Sequence, residues 1–134
     1  MIAADSSLLV PAIVASHEFH EACYESAGLV DVAISHALVE TYAVLTRLPQ
    51  PYTVPAGQAS TAVRSYSSHV LVLPGEELAD TIDRFVLARV TGGASYDALI
   101  AITAVHYGAK LLTRDERATE IYERLGAEVM WVTT

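Results

Sequence analysis

The stretch that constrains this chain most is Ser95 to Ala118, SYDALIAITAVHYGAKLLTRDERA. Asp97 sits in the first turn of an apolar pattern at helical spacing, and Gly108 closes it. A short strand, Lys110 to Thr113, then runs directly into Asp115. In a parallel sheet, a helix leading into a strand runs antiparallel to that strand. The helix therefore starts at the edge where the strand ends, and Asp97 and Asp115 meet there although eighteen positions separate them. That is the carboxyl edge, where open α/β sheets bind their ligands. Two carboxylates gathered there ask for a metal ion.

The remaining chain supplies the sheet and its cover. Met1 to Ala4, Val32 to Ile34, Val70 to Leu73 and Glu128 to Val132 read as four more strands. A helix over Leu8 to Ala15 holds Pro11 near its start, where proline is tolerated. Ser16 is placed to cap a second helix, His17 to Ala27, ended by Gly28. His36 to Leu48 follows, with Leu38, Tyr42 and Leu45 on one stripe. Pro49, Pro51, Pro55 and Gly57 break the chain before a small-residue helix, Ala56 to Ser68. Glu76 to Val90 is expected to turn Leu78, Ile82, Phe85 and Val86 inward, and Thr91-Gly92-Gly93 interrupts the chain again. A last helix after Asp115 carries Ala118, Ile121, Tyr122 and Leu125 and is closed by Gly126. Five strands alternating with helices, without hairpin turns, predict a three-layer α/β/α fold around a five-stranded parallel sheet. A length of 134 residues suits a single domain spanning 1–134.

Direction selects among the acids. Asp5 directly follows the first strand and Asp115 the fourth, so both lie at the carboxyl edge. Glu40 is in the early part of the helix after the second strand, which begins at that edge, and Asp97 joins them by the parity above. Asp31 precedes its strand and falls at the opposite edge, while Asp80 and Asp83 are mid-helix. Each acid alone also has a structural reading, since Asp caps helices and carboxylates favour helix N-termini. Four together repel one another and raise each other's pKa values, a penalty that a divalent cation removes. All-oxygen ligation suits Mg²⁺ or Mn²⁺ over zinc. The histidines offer no rival zinc site: His17 and His20 lack the HExxH spacing, and His36, His69 and His106 are scattered.

Composition narrows the rest. A formal net charge of −8 opposes casual binding to nucleic acid. It leaves room for a nuclease with acidic ligands and a local basic rim. Arg114 and Arg117 flank Asp115, and Arg47 lies two turns beyond Glu40, so these three are candidate phosphate contacts. Cys23 is the single cysteine, which fits a buried thiol in a reducing compartment. No apolar run approaches the roughly 18 residues of a membrane span. The opening residues lack the basic and apolar segments of a secretion signal, so a cytoplasmic location is expected. A phosphoacceptor signalling domain also clusters acids at a sheet edge, but here the third strand ends in Leu-Pro-Gly and Lys110 precedes its strand. An Asp-x-Asp phosphatase is disfavoured by Ser7 in the second Asp position. A binding module with an acidic metal cleft remains an alternative.

Four segments carry a resemblance to a known family: Ala-Asp-Ser-Ser around Asp5, Ala-Leu-Val-Glu-Thr-Tyr around Glu40, Tyr-Asp-Ala-Leu-Ile-Ala-Ile-Thr-Ala around Asp97, and Leu-Leu-Thr-Arg-Asp ending at Asp115. In order and spacing, over essentially the whole chain, they resemble a PIN-domain ribonuclease, specifically the VapC toxins of type II toxin–antitoxin systems. The resemblance implies a Mg²⁺-dependent endoribonuclease, with Mn²⁺ an alternative ion, that hydrolyses phosphodiester bonds in tRNA, rRNA or mRNA. It implies a homodimer and a small VapB-like antitoxin whose tail enters the acidic cleft. A PIN-fold RNA-processing nuclease without an antitoxin is the alternative within the same fold. Carried onto this chain, the catalytic acids are Asp5, Glu40, Asp97 and Asp115. Asp5, Asp97 and Asp115 would hold the metal, and Ser6 and Thr113 would support them by hydrogen bonds. Glu116 stands where relatives often have a further acid, and its participation is open.

Overall fold

Alternation along two short strands organises the molecule. In the computed structural model, which describes residues 1–132, β1 (Ile2–Ala4) pairs in parallel with β4 (Lys110–Thr113). Ala3 and Leu111 face one buried cluster, while Ala4 and Leu112 face another. Successive side chains point to opposite faces, so two apolar residues in a row signal a sheet covered on both sides. β5 (Val129–Trp131) lies parallel on the far side of β4, with Leu112 opposite Met130. β2 (Ala33–Ile34) and β3 (Val70–Leu71) form a second parallel pair. The two parts join where Asp31 and Val32 N–H groups both donate to the Ile2 carbonyl, at 3.0 and 3.3 Å. The five-stranded parallel sheet thus has the order β3-β2-β1-β4-β5, with its ladder interrupted between β2 and β1.

Among the described residues, seven α-helices cover it in two layers, giving the three-layer α/β/α arrangement of a PIN-like fold. α1 (Ser6–Ile13) and α2 (His20–Ala27) pack on the Ala4 and Leu112 side around Leu8, Leu9 and Cys23. α6 (Ala94–Tyr107) and α7 (Glu116–Arg124) pack on the other side around Ile100, Ala101 and Tyr122. α3 (Ser35–Arg47) and α4 (Ala56–Arg64) close one flank over Leu45 and Ala59. α5 (Leu78–Leu87), preceded by a 3₁₀ turn at Gly75–Glu77, packs against α6 through Phe85. α6 is buried almost all round over its middle, residues 98–104, as its apolar run requires. It ends at Gly108, whose φ of +71° is the left-handed conformation that glycine adopts without Cβ strain. No helix among the described residues is long and apolar enough to cross a membrane.

Several boundaries differ from expectation for local reasons. The second helix starts at His20 rather than His17, because Ser16 lies in a turn and His17 Nδ1 instead accepts the Phe19 N–H at 3.1 Å. The helix from Ala56 stops at Arg64, where Ser65 and Ser67 hydroxyls bond back to the carbonyls of Ala62 and Val63. The third strand spans only Val70–Leu71. On α3 the buried stripe is Ala37, Thr41 and Leu45, one position off the expected Leu38 and Tyr42. The larger correction concerns α5. Leu78, Ile82 and Val86 were expected inward but are 47%, 52% and 73% exposed, and its inward face is Thr81 and Phe85. Periodicity finds an apolar stripe without saying which way it faces.

Candidate active site

The site is built where β1, β4 and the helices after them meet. Asp5 follows β1 and is the N-cap of α1, its Oδ1 accepting the Ser7 N–H at 3.0 Å. The Ser7 hydroxyl donates to the same oxygen at 2.5 Å. Its other oxygen, Oδ2, accepts the hydroxyls of Thr113 at 2.6 Å and Tyr122 at 2.7 Å. Four donors thus converge on one carboxylate that is only 3% exposed. Burial pushes the Asp5 pKa up, with the hydrogen bonds from Ser7, Thr113 and Tyr122 opposing it and the Asp115 charge reinforcing it. Tyr122 is raised well above the ordinary tyrosine value by burial and then by Asp5, so it stays a hydroxyl donor.

Asp115 follows β4 and caps α7, with Oδ1 accepting the N–H groups of Arg117 at 2.9 Å and Ala118 at 3.1 Å. Its own N–H donates to the Thr113 hydroxyl at 3.0 Å, so Thr113 ties the Asp5 and Asp115 loops together. Asp97 stands in the first turn of α6. Its pKa rises to about 6, first through burial and then through Glu40, Asp115 and Asp5 in that order, against a lowering contribution from His36. The four acids selected by strand direction therefore share one electrostatic field. Asp31 lies apart, as expected, accepting the Ile2 N–H at 2.7 Å at the other end of β1.

Glu40 is engaged by His36, whose Nε2 lies 3.1 Å from Oε1, and the His36 ring stacks on Tyr96 with centroids 5.3 Å apart. His36 looked isolated in the sequence. Its i, i+4 spacing from Glu40 was the available signal. The serine whose hydroxyl reaches Asp5 is Ser7, the neighbour of the expected Ser6, and that hydroxyl also accepts the Arg114 N–H at 2.9 Å. Sequence periodicity alone places Tyr122 in the core. Its polar tip on a buried helix face was the clue, because a buried phenol needs a partner.

The arginines divide. Arg114 is spent on structure, with Nη1 donating to the Ser7 carbonyl at 3.1 Å and the guanidinium 4.4 Å above the Phe19 ring. Arg47 lies in the last turn of α3, the end away from Glu40, where a cation complements the helix dipole. Arg117 alone of the three lines a cavity of about 440 Å³ with Asp97, Asp115 and Glu120. Glu116 is exposed in the first turn of α7, and the extra acid facing that cavity is Glu120.

Among the described residues, no three His, Cys, Asp or Glu side chains stand close enough to hold a metal ion as they are. Each acid is instead engaged by protein groups: Asp5 and Asp115 accept backbone and hydroxyl donors, and Glu40 meets His36. The chemistry of the donor set nonetheless fits a hard divalent cation. All ligands on offer are carboxylate oxygens, and Asp97, raised first by burial and then by Glu40, Asp115 and Asp5, is a carboxylate whose charged form such a cation would favour.

Comparisons with known proteins agree with this architecture. The family described as PIN domain matches residues 2–124. Ribonuclease VapC40 of Mycobacterium tuberculosis is 47% identical, over 99% of this chain and 100% of its own length. Ribonuclease VapC27 of the same organism is 36% identical, over 96% of this chain and 95% of its own. The crystal structure of M. tuberculosis VapC20, a Sarcin-Ricin loop cleaving toxin, superposes with a TM-score of 0.71. At 16% identity, covering 90% of this chain and 94% of that one, it speaks for the fold.

Proposed function

This chain belongs to the VapC ribonucleases of the PIN-domain family, and we propose that it is a divalent-metal-dependent endoribonuclease acting as the toxin of a toxin–antitoxin pair. The observation that supports the reading is Asp97, at the carboxyl edge, whose pKa is raised to about 6 first by burial and then by the charges of Glu40, Asp115 and Asp5. Mg²⁺ or Mn²⁺, held by Asp5, Asp97 and Asp115, would supply charge stabilisation at the phosphate and a more acidic bound water. The chain's own residues do the rest. Glu40, half-exposed and oriented by His36, positions and deprotonates the attacking water. Thr113, Ser7 and Tyr122 lock the Asp5 carboxylate, so its orientation costs nothing at the moment of reaction. Arg117 faces the same cavity and contacts an RNA phosphate.

The partners follow from the same reading. A VapB-like antitoxin offsets the net charge of −8 with a basic tail in the acidic cleft. The exposed Val39 and Tyr42, beside a cavity between α3 and α4, support an apolar seat for the rest of it. The outward Leu78, Ile82 and Val86 of α5 support a homodimer. RNA cleavage with Mg²⁺ is the test, using Asp97→Asn and Glu40→Gln. Both are expected to lose cleavage while still folding. Cleavage surviving in Asp97→Asn removes the metal site from the mechanism.

A further inference from the structure

The molecule has a second charged feature, of opposite sign. A cavity of about 600 Å³ between α5 and α7 is lined by Arg84, Leu87, Ala88, Arg89, Arg124 and Leu125. The chain holds only eight Lys and Arg against sixteen Asp and Glu, yet three of those eight meet here. Arg124 is occupied, with Nη2 3.2 Å from Glu120 and Nη1 donating to the Ala88 carbonyl at 3.0 Å. Arg84 and Arg89 are exposed, and neither has a carboxylate partner among the described residues. In so acidic a chain, two cations left without partners side by side await an anion from outside.

The backbone adds an independent sign. Arg89 has φ +59°, the one non-glycine residue with positive φ among those described. It follows the end of α5, where the Arg89 N–H returns to the Val86 carbonyl and the Val90 N–H to the Phe85 carbonyl. This is the left-handed position after a helix, which glycine usually fills. Local strain of this kind persists where something else requires the residue. Among the described residues the Arg89 side chain has no hydrogen-bond or ion-pair partner, and it lines the cavity.

We infer that the arginine-lined cavity between α5 and α7 binds the phosphate backbone of the RNA substrate away from the scissile bond; this rests on the ribonuclease reading. Position favours RNA over an acidic peptide. α7 walls both cavities: Arg117 and Glu120 face the catalytic one, and Arg124 faces the second. From Arg117 to Arg124 the helix rises about 10 Å, a path that a few nucleotides cover. Planar guanidinium forks match phosphate oxygens in pairs. The track also answers how a protein of net charge −8 retains a polyanion.

The test measures binding without cleavage. A short fluorescent single-stranded RNA is titrated in EDTA with the wild-type chain, Arg84→Ala/Arg89→Gly, Arg84→Lys/Arg89→Lys, and Arg64→Ala on α4 as control. Glycine at 89 relieves the backbone while removing the charge. Losing two phosphate contacts lowers the slope of log K against log salt by about 1.4, and affinity at about 0.1 M salt by about 25-fold. The Ala/Gly variant is expected to show both, the Lys variant to recover most of the affinity, and Arg64→Ala to match wild type. Unchanged affinity and slope in the Ala/Gly variant overturns the inference, as does wild-type protein that binds no RNA at low salt. Labelled poly-glutamate is titrated in the same way, and loss of its binding in the Ala/Gly variant with RNA binding intact assigns the cavity to an acidic protein partner and overturns the inference too. Cleavage is assayed separately. Active enzyme with unaltered RNA binding sinks the track and spares the ribonuclease, whereas weakened binding without any cleavage does the reverse.

Discussion

Asp97→Asn should make the metal-free protein more stable while destroying its activity. Asp97 titrates at about 6 in the fold against an ordinary value of 3.8. The folded state therefore holds the proton more tightly, and stability falls as pH rises from near 3.8 through 6. Above that window the penalty is complete; below it the penalty is gone. Two units are worth about 3 kcal/mol at face value. Asp97 is only half-buried, and solvent screening reduces this to about 1–2 kcal/mol. For a domain of this size that is a rise in Tm of roughly 4–8 °C. The assay is thermal unfolding in EDTA at pH 8 and again near pH 4, for wild type and variant. The gain should appear at pH 8 and vanish near pH 4. Excess Mg²⁺ should then stabilise wild type more than the variant, narrowing the gap. A variant equal to or less stable than wild type at pH 8 would refute the claim that burial and the neighbouring acids together penalise the Asp97 charge.

Tyr122→Phe removes one donor to a buried carboxylate and should cost about 1.5–3 kcal/mol by urea unfolding. It should also move the acidic limb of the cleavage profile to higher pH, because the bond it deletes holds the Asp5 pKa down. Thr113→Val keeps the shape but loses the bonds to Asp5 and from Asp115, at a cost of about 2–3 kcal/mol and with a fall in cleavage rate larger than that of Ser6→Ala. Cys23 is buried and its pKa is raised by that burial, with Arg114 pulling the other way. Its thiol should stay unreactive toward a disulfide reagent at pH 7.5 until the protein is denatured.

Much of the site was legible because strand direction is a one-dimensional property. An acid directly after an inner strand, or at the start of the helix leading into one, must reach the carboxyl edge. Asp5, Asp97 and Asp115 obey that rule, and Glu40 follows from its helix. The structural reading of Asp5 and Asp115 holds, since each caps a helix, and both also contribute to the negative field at Asp97. The supporting shell was less legible. Ser6 and Ser7 differ by about 100° around a helix, and only the seating of α1 on β4 decides which hydroxyl meets Thr113. Tyr122 reaches Asp5 across 117 positions, a contact that no local pattern encodes.

The order of strands and helices, the parallel sheet and the edge at which the acids gather were therefore determined by the sequence alone, because hydrophobic period and chain direction are local quantities. Tertiary structure decided which side of α5 faces water, which arginines are spent on the fold, and that Arg84, Arg89 and Arg124 share a cavity. Those outcomes depend on how rigid elements rotate and dock against one another, and burial is a property of the assembled neighbours.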